Sequence, residues 1–376
     1  MRLLNEIFND MLEKGYGIYP VHQHIKAALD WLCLAQDIGE DDGISARYSL
    51  INGWSHSYPE TTGYIIPTFY DCAEYFKRQE YSIRAEKAAD WLTNIQFDNG
   101  SFPGGVYNKN KKMTPSVFNT GQILFGLIRS YRETKKEAYR FAYLKAADWL
   151  ISVQDADGYW SLYCYKKGIH AYNARVAWAL LEAFKLEKEF KYLRSAECFF
   201  SWLLKRQRAN GWFENAGFKK KMLPYTHTIA YTLEGLLESG VILKNDLYIE
   251  RAKLTADVLK ELYDNNEYLA GAYDSEWNGT NYSCLTGNAQ ISIIWSRLYQ
   301  LTGEKSYVQS VYKINNHLKS LQNIETEDRN IHGAVKGSFP IWGRYMIFRY
   351  PNWAVKFFID ALLHEEKILD RKNKVV

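Results

Sequence analysis

Proline is scarce in this 376-residue chain, with 8 in all, and cysteine is scarcer: Cys33, Cys72, Cys164, Cys198 and Cys284 lie far apart. With so little proline, long stretches are free to run as helices. An odd set of cysteines without a C-x-x-C pair is neither a disulfide framework nor a zinc site, and it fits free thiols in a reducing cytoplasm. His22 and His24 are two apart, a spacing that does not supply the H-x-x-x-H pair of a helical zinc site, so no metal and no other cofactor is expected. No P-loop, G-x-G-x-x-G or G-x-S-x-G occurs. No apolar run reaches the ~20 residues of a transmembrane helix. The opening MRLLNEIFNDMLEKG mixes acids into its apolar residues, unlike a secretory signal. Charge of one sign is missing too: 47 Lys and Arg against 43 Asp and Glu give +4. The densest basic run is Lys219–Lys221, so nucleic acid is not an expected partner.

What the chain does have is repetition. Residues 145–160 read KAADWLISVQDADGYW, and residues 87–102 read KAADWLTNIQFDNGSF. The pattern, a helical run with Trp-Leu, a Gln, then a Gly with an aromatic residue, recurs six times. Its Gln position falls at Gln36, Gln96, Gln154, Gln207, Tyr263 (a degenerate copy) and Gln322. Each copy is followed by a second run, starting near Thr62, Asn119, Asn173, Thr226, Thr286 and Asn352, that is apolar on nearly every turn. The first runs are amphipathic and the second must be covered on all sides. Six helix pairs with such faces predict a closed all-α ring, an α/α toroid with the second runs as an inner barrel. The expected organisation is one domain over 1–376, with 1–19 as an N-terminal extension adding one helix. Thr and Asn at the starts of the second runs suit N-caps.

Links from inner to outer helix are short and charged, while links from outer to inner span roughly 20 residues and carry Gly, Trp, Tyr and Asn. All six long loops must emerge on one rim, at the N-termini of the inner helices, where function gathers and helix dipoles favour anions. This places His56, Tyr58 and Glu60 at the first inner helix, Asn119 and Gln122 at the second, and Tyr172, Asn173 and Arg175 at the third. Tyr225, His227 and Tyr231 belong to the fourth. Asn288 and Gln290 belong to the fifth, after a loop with Asp274, Glu276 and Trp277. Asn352, Trp353 and Lys356 belong to the sixth, after Trp342, Arg344, Tyr345, Arg349 and Tyr350. Each has a structural alternative. The Asn residues suit caps, His227 suits a buried hydrogen-bonded imidazole, and Arg175 and Lys356 on apolar helices suit partners such as Glu182 and Asp360.

The stretch Gln154-Asp-Ala-Asp-Gly158-Tyr-Trp160 resembles the Q-x-x-x-G-x-W repeat of terpenoid cyclases, and 96–102 and 207–213 match it with Phe last. That resemblance implies a toroid in which these motifs clamp helix ends. The cyclase D-x-D-D acid motif is missing, since Asp155-Ala-Asp157 runs into Gly158, and the zinc set of the related protein prenyltransferases is not evident. The stretches 58–64 (YPETTGY), 226–231 (THTIAY), 337–342 (GSFPIW) and 351–357 (PNWAVKF) resemble α/α-toroid proteins of bacterial capsule and O-antigen biosynthesis clusters. This implies a glycan ligand, a polysaccharide or its lipid-linked precursor. On that basis the expected activity is proton abstraction beside a uronate carboxylate, giving C5 epimerisation or elimination. His227 would be the base, Tyr225 or Tyr231 the second proton carrier, and Arg175, Lys356 or Arg349 the carboxylate neutraliser. Alternatives are a glycoside hydrolase pairing Glu60 with Asp274 or Glu276, a non-catalytic glycan-binding scaffold and, last, a terpenoid cyclase.

Overall fold

The computed structural model describes residues 2–373, with side chains through residue 369. In chain order the elements are α1 (Arg2–Met11), α2 (Val21–Asp37), β1 (Arg47–Ser49), β2 (Gly53–Trp54), α3 (Pro59–Phe76), α4 (Gln79–Ile95), α5 (Val117–Thr134), α6 (Glu137–Ser152), α7 (Ala174–Glu187), α8 (Phe190–Leu204), α9 (Thr226–Leu243), α10 (Asp246–Asn266), β3 (Ser283–Cys284), α11 (Leu285–Thr302), α12 (Ser306–Leu321), β4 (Ser338–Phe339), β5 (Arg349–Pro351) and α13 (Asn352–Asn373). The odd-numbered helices from α3 to α13 pack in sequence, and α13 returns to α3. The apolar second runs therefore form a closed inner barrel, and α2, α4, α6, α8, α10 and α12 surround it. The fold is the expected α/α toroid.

The repeated Gln explains how the outer helices keep register. Gln154 Nε2 donates to its own turn at Gly158 O (2.7 Å) and to Ser195 O in α8, the next outer helix (3.0 Å). Gln96 does the same with Gly100 O and Ala142 O, and Gln36 reaches Arg84 O in α4. Gln207 donates to Arg251 O, and Gln322 closes the circle by donating to His24 O in α2. The turn glycine is required at this approach: Gly158 has φ +92°, and a Cβ there would press into the Cys198 carbonyl.

Two details depart from the sequence expectation. Several Thr and Asn at the inner-helix starts are not caps; they hold their own or a neighbouring loop. Thr62 Oγ1 accepts from Ile44 N and Thr120 Oγ1 from Phe102 N, both at 3.0 Å, while Asn352 Nδ2 donates to Ser45 O at 2.9 Å. The caps that do form come from Ser116, Asn245 and Cys284. The loops also pair into small antiparallel sheets, β2-β1-β5 and β3-β4, which tie the sixth loop to the first and fifth. Strands of two or three residues are too short to show as a period.

Candidate functional site

The inner helices bring their first turns to one opening. At α3, Tyr58 precedes the helix and Glu60 lies in its first turn; the Tyr58 hydroxyl donates to Glu60 Oε2 at 2.6 Å. At α9, His227 and Tyr231 are one turn apart on the axis-facing side, ring centroids 4.2 Å apart. At α13, Trp353 meets Tyr58 edge-on at 6.2 Å. A 3₁₀ turn at 171–173 sets Tyr172 edge-on to Phe118 of α5 at 5.1 Å, and Phe118 packs on Tyr231 at 5.2 Å. The result, at the loop-bearing mouth of the ring, is a closely packed set of aromatic side chains around one carboxyl and one imidazole, with Tyr172, His227, Tyr231 and Trp353 all buried.

Burial governs the titration of this mouth. It lifts the Glu60 carboxyl to about 7, although the Tyr58 hydrogen bond and the Arg175 charge both pull it down. It drives the His227 imidazole down to about 3, opposed by Gln290 and reinforced by Arg175. His227 is therefore neutral at ordinary pH. Its Nδ1 meets Gln290 Oε1 at 2.6 Å; an amide oxygen only accepts, so Nδ1 carries the proton and Nε2 is the free acceptor. Burial also holds Tyr58, Tyr172 and Tyr231 well above the usual phenol range, so all three keep their protons.

Both expected inner-helix cations, Arg175 and Lys356, are already engaged. Arg175 forms a buried ion pair with Glu234, not with Glu182, and its Nε donates to Gln122 Oε1 at 2.7 Å. Its guanidinium lies within 6 Å of five ring centroids, including Tyr64, Tyr231 and Phe357. Lys356 pairs with Asp360 one turn along α13. Arg175 influences Glu60 on one side and, on the other, lines a separate cavity of about 380 Å³ with Phe125, Trp178 and Asp360. The aromatic layer around Arg175 thus divides the barrel axis.

The remaining expected residues are placed elsewhere. Asn119 donates to Pro103 O, Asn173 to Cys164 Sγ, and Asn352 to Ser45 O, so all three hold loops. Asn288 is buried on α11. His56 is exposed. Asp274 accepts from the backbone N–H groups of Glu276 and Asn278 in an outward turn. Glu276 pairs with Arg208, and Trp277 Nε1 donates to Asn210 O. The groups acting on the Glu60 carboxyl are Tyr58 and Arg175. Tyr225 is half-buried and donates to Arg344 O; Trp342 is 40% exposed; Arg349 is half-buried in β5. Tyr350 donates to Glu6 Oε2 and serves to anchor α1. Tyr64, Phe118, Phe357 and Glu234 were not on the expected list. Tyr64 and Phe357 lie four residues after Glu60 and Trp353, so extending each first-turn residue by one helical turn would have found them. Among the described residues, no group of three or more His, Cys, Asp or Glu side chains is placed to hold a metal ion.

No protein-family model and no curated protein matches this chain. Solved structures do. A heparin-specific unsaturated glucuronyl hydrolase superposes with TM-score 0.72 at 15% identity, covering 93% of this chain and 98% of its own. The unsaturated glucuronyl hydrolase of Bacillus sp. GL1 gives 0.73 at 16%, covering 92% and 97%. A D-mannose isomerase gives 0.70 at 15%, covering 93% and 100%. At such identities the likeness is one of fold: this chain is an α/α toroid of the architecture used by those sugar-acting enzymes.

Proposed function

We propose that this protein is a carbohydrate-active enzyme that hydrolyses a glycan, with Glu60 carrying the proton. The observation that carries the reading is the Glu60 carboxyl, lifted to about 7 inside an aromatic mouth. A group poised there has both its forms populated near neutral pH, as acid–base catalysis wants. Glu60 gives its proton to the oxygen of the bond that breaks, water adds to the sugar carbon, and the water's proton returns to the Glu60 carboxylate. One group serves both transfers, so no partner carboxylate is required. His227 Nε2, neutral and free to accept, orients the water. The half-buried Tyr58 ring beside Glu60 is the aromatic face that can meet a sugar ring. The unsaturated glucuronyl hydrolases of the same fold make hydrolysis the favoured class. A place in surface-polysaccharide assembly, and a cytoplasmic location, belong to the same proposal and rest on the sequence resemblance.

The second reading is proton abstraction beside a uronate carboxylate, for epimerisation or elimination. It is favoured by the His227–Tyr231 pair. It needs a cation for the carboxylate, however, and Arg175 and Lys356 are taken by Glu234 and Asp360, which leaves Arg349. Incubating the protein with uronate-terminated oligosaccharides, saturated and unsaturated, in labelled water separates the readings. Oxygen-18 appearing in a cleaved product supports hydrolysis. Deuterium taken up from heavy water into uncleaved sugar moves the assignment to epimerisation. A cleaved product with a new double bond and no oxygen-18 moves it to elimination. Binding without either label makes the protein a glycan-binding scaffold.

A further inference from the structure

α1 packs on the ring by its charged side. Its residues Glu6 and Asp10 are buried. Asp10 accepts from Lys336 Nζ at 2.5 Å and from Ile341 N at 2.7 Å. Glu6 accepts from the Tyr350 hydroxyl at 2.8 Å and lies 3.0 Å from Lys336 Nζ. Lys336, Ile341 and Tyr350 all belong to the sixth long loop, between α12 and α13, and all three are buried too. Charge-assisted bonds of this kind are the strong ones. Glu6 therefore grips the two legs of the loop at Lys336 and Tyr350, and Asp10 grips the start of its tip at Ile341.

The tip of that loop lies on the mouth. The Tyr345 ring is 5.6 Å from the His227 imidazole and 4.9 Å from the Tyr225 ring, and its hydroxyl accepts from Trp353 Nε1 at 2.7 Å. His227 is buried, so a ligand reaches its Nε2 only if a neighbour moves. Tyr231, Gln290 and Phe357 sit on inner helices fixed by closure of the ring; Tyr345 sits on a loop. The tip is also the less secure partner. With Tyr282 and Cys284, Tyr345 forms a small apolar cluster apart from the main core. Met346 and Phe348 have φ of +53° and +55°, a left-handed conformation that costs non-glycine residues energy. Trp342, Arg344 and Ile347 are exposed. Segments with few buried contacts are the first to open.

Taking the Glu60–His227 mouth as the reactive site, we propose that residues 341–348 are a lid over it and that α1 is the strap holding the lid shut. Letting go of Ile341 N by Asp10 frees the tip, which carries the Tyr345 ring off His227 and admits a glycan. The legs stay in place, because Glu6 keeps Lys336 and Tyr350. Re-forming the Asp10 bond closes the mouth and excludes water, as a lid does in catalysis. Asp10 is thus a positioning residue that acts on His227 through Ile341 and Tyr345.

The test uses the full chain and two readouts, amide hydrogen exchange and carbethoxylation of His227 by diethyl pyrocarbonate, both read by mass spectrometry. Asp10→Ala removes the acceptor of Ile341 N while Glu6 still balances Lys336. Exchange across 341–348 should then quicken by roughly 10–10²-fold, with the Gln–Gly turns of the other repeats unchanged. Asp10→Asn keeps an oxygen for Ile341 N and should restore most of the protection. Labelling of His227, slow in the parent, should quicken by about tenfold or more in Asp10→Ala and in Tyr345→Ala. Exchange that rises over the whole ring, or a lowered melting temperature with 341–348 still protected, makes α1 a structural brace and overturns the strap. A loosened tip with His227 labelled no faster overturns the lid, as does unchanged labelling in a folded Tyr345→Ala. Neither readout involves turnover. Failure of the mouth as a reactive site would show instead as no turnover on any glycan, with exchange and labelling as expected.

Discussion

Tyr58 donates its hydroxyl hydrogen to Glu60 Oε2 at 2.6 Å, two residues along the start of α3, and burial keeps both groups inclined to hold their protons. The hydrogen bond favours the Glu60 carboxylate while desolvation opposes it, and desolvation wins.

If protonated Glu60 is the acid, kcat/KM should fall as pH rises through about 7. Tyr58→Phe removes an interaction that holds the carboxyl down, so this limb should move to higher pH. A pH–rate profile of the two proteins checks the shift; an unmoved limb would assign the titration to another group.

The same group links pH to stability. Its pKa rises from 4.5 to about 7, so its contribution is fully present below about 4.5 and is lost as pH climbs through about 7. The shift of roughly 2.5 units corresponds to about 3 kcal/mol. Glu60→Gln should therefore melt less steeply with pH and be the more stable protein above about pH 8, with turnover lowered by roughly 10²–10⁴-fold. Melting curves across that range decide it.

Arg175→Met should destabilise the protein by about 3–5 kcal/mol, because it strands the Glu234 carboxylate in the barrel. Adding Glu234→Leu should restore most of the loss. Since Arg175 also pulls the Glu60 carboxyl down, the double variant should still show the alkaline limb of activity displaced upward. A purely structural Arg175 would leave that limb in place.

His227→Ala leaves Gln290 Oε1 without its donor, at a cost of about 1–3 kcal/mol. If Nε2 orients the water, turnover should drop by roughly 10²–10⁴-fold, well beyond the folded fraction. Melting temperature and turnover on the same sample separate the two effects. Activity that merely tracks folding would make His227 a structural imidazole.

The helix pairs and the ring were legible because their causes are local and repeated. Apolar residues recur with the helical period, and the Gln–Gly turn returns every 53 to 60 residues. Closure of six such pairs also brings Arg175 near enough to Glu60 and His227 for its charge to act on both. Partners were not legible. Thr62 and Asn352 read as caps, yet they bond to Ile44 and Ser45 on loops that only the packed ring brings near. Arg175 read as a substrate-carboxylate binder or as a partner of Glu182, yet Glu234, 59 residues on, occupies it.

What the sequence determined by itself is what short-range sterics and hydrogen bonding control: which runs are helical, where they stop, and which faces must be covered. What only the tertiary structure decided is protonation and pairing at the mouth. Glu60 reaches about 7 and His227 falls to about 3 because helices one or more repeats apart exclude water from both. Desolvation depends on every neighbour within a few ångströms, and those neighbours are set by closure of the ring, not by position along the chain.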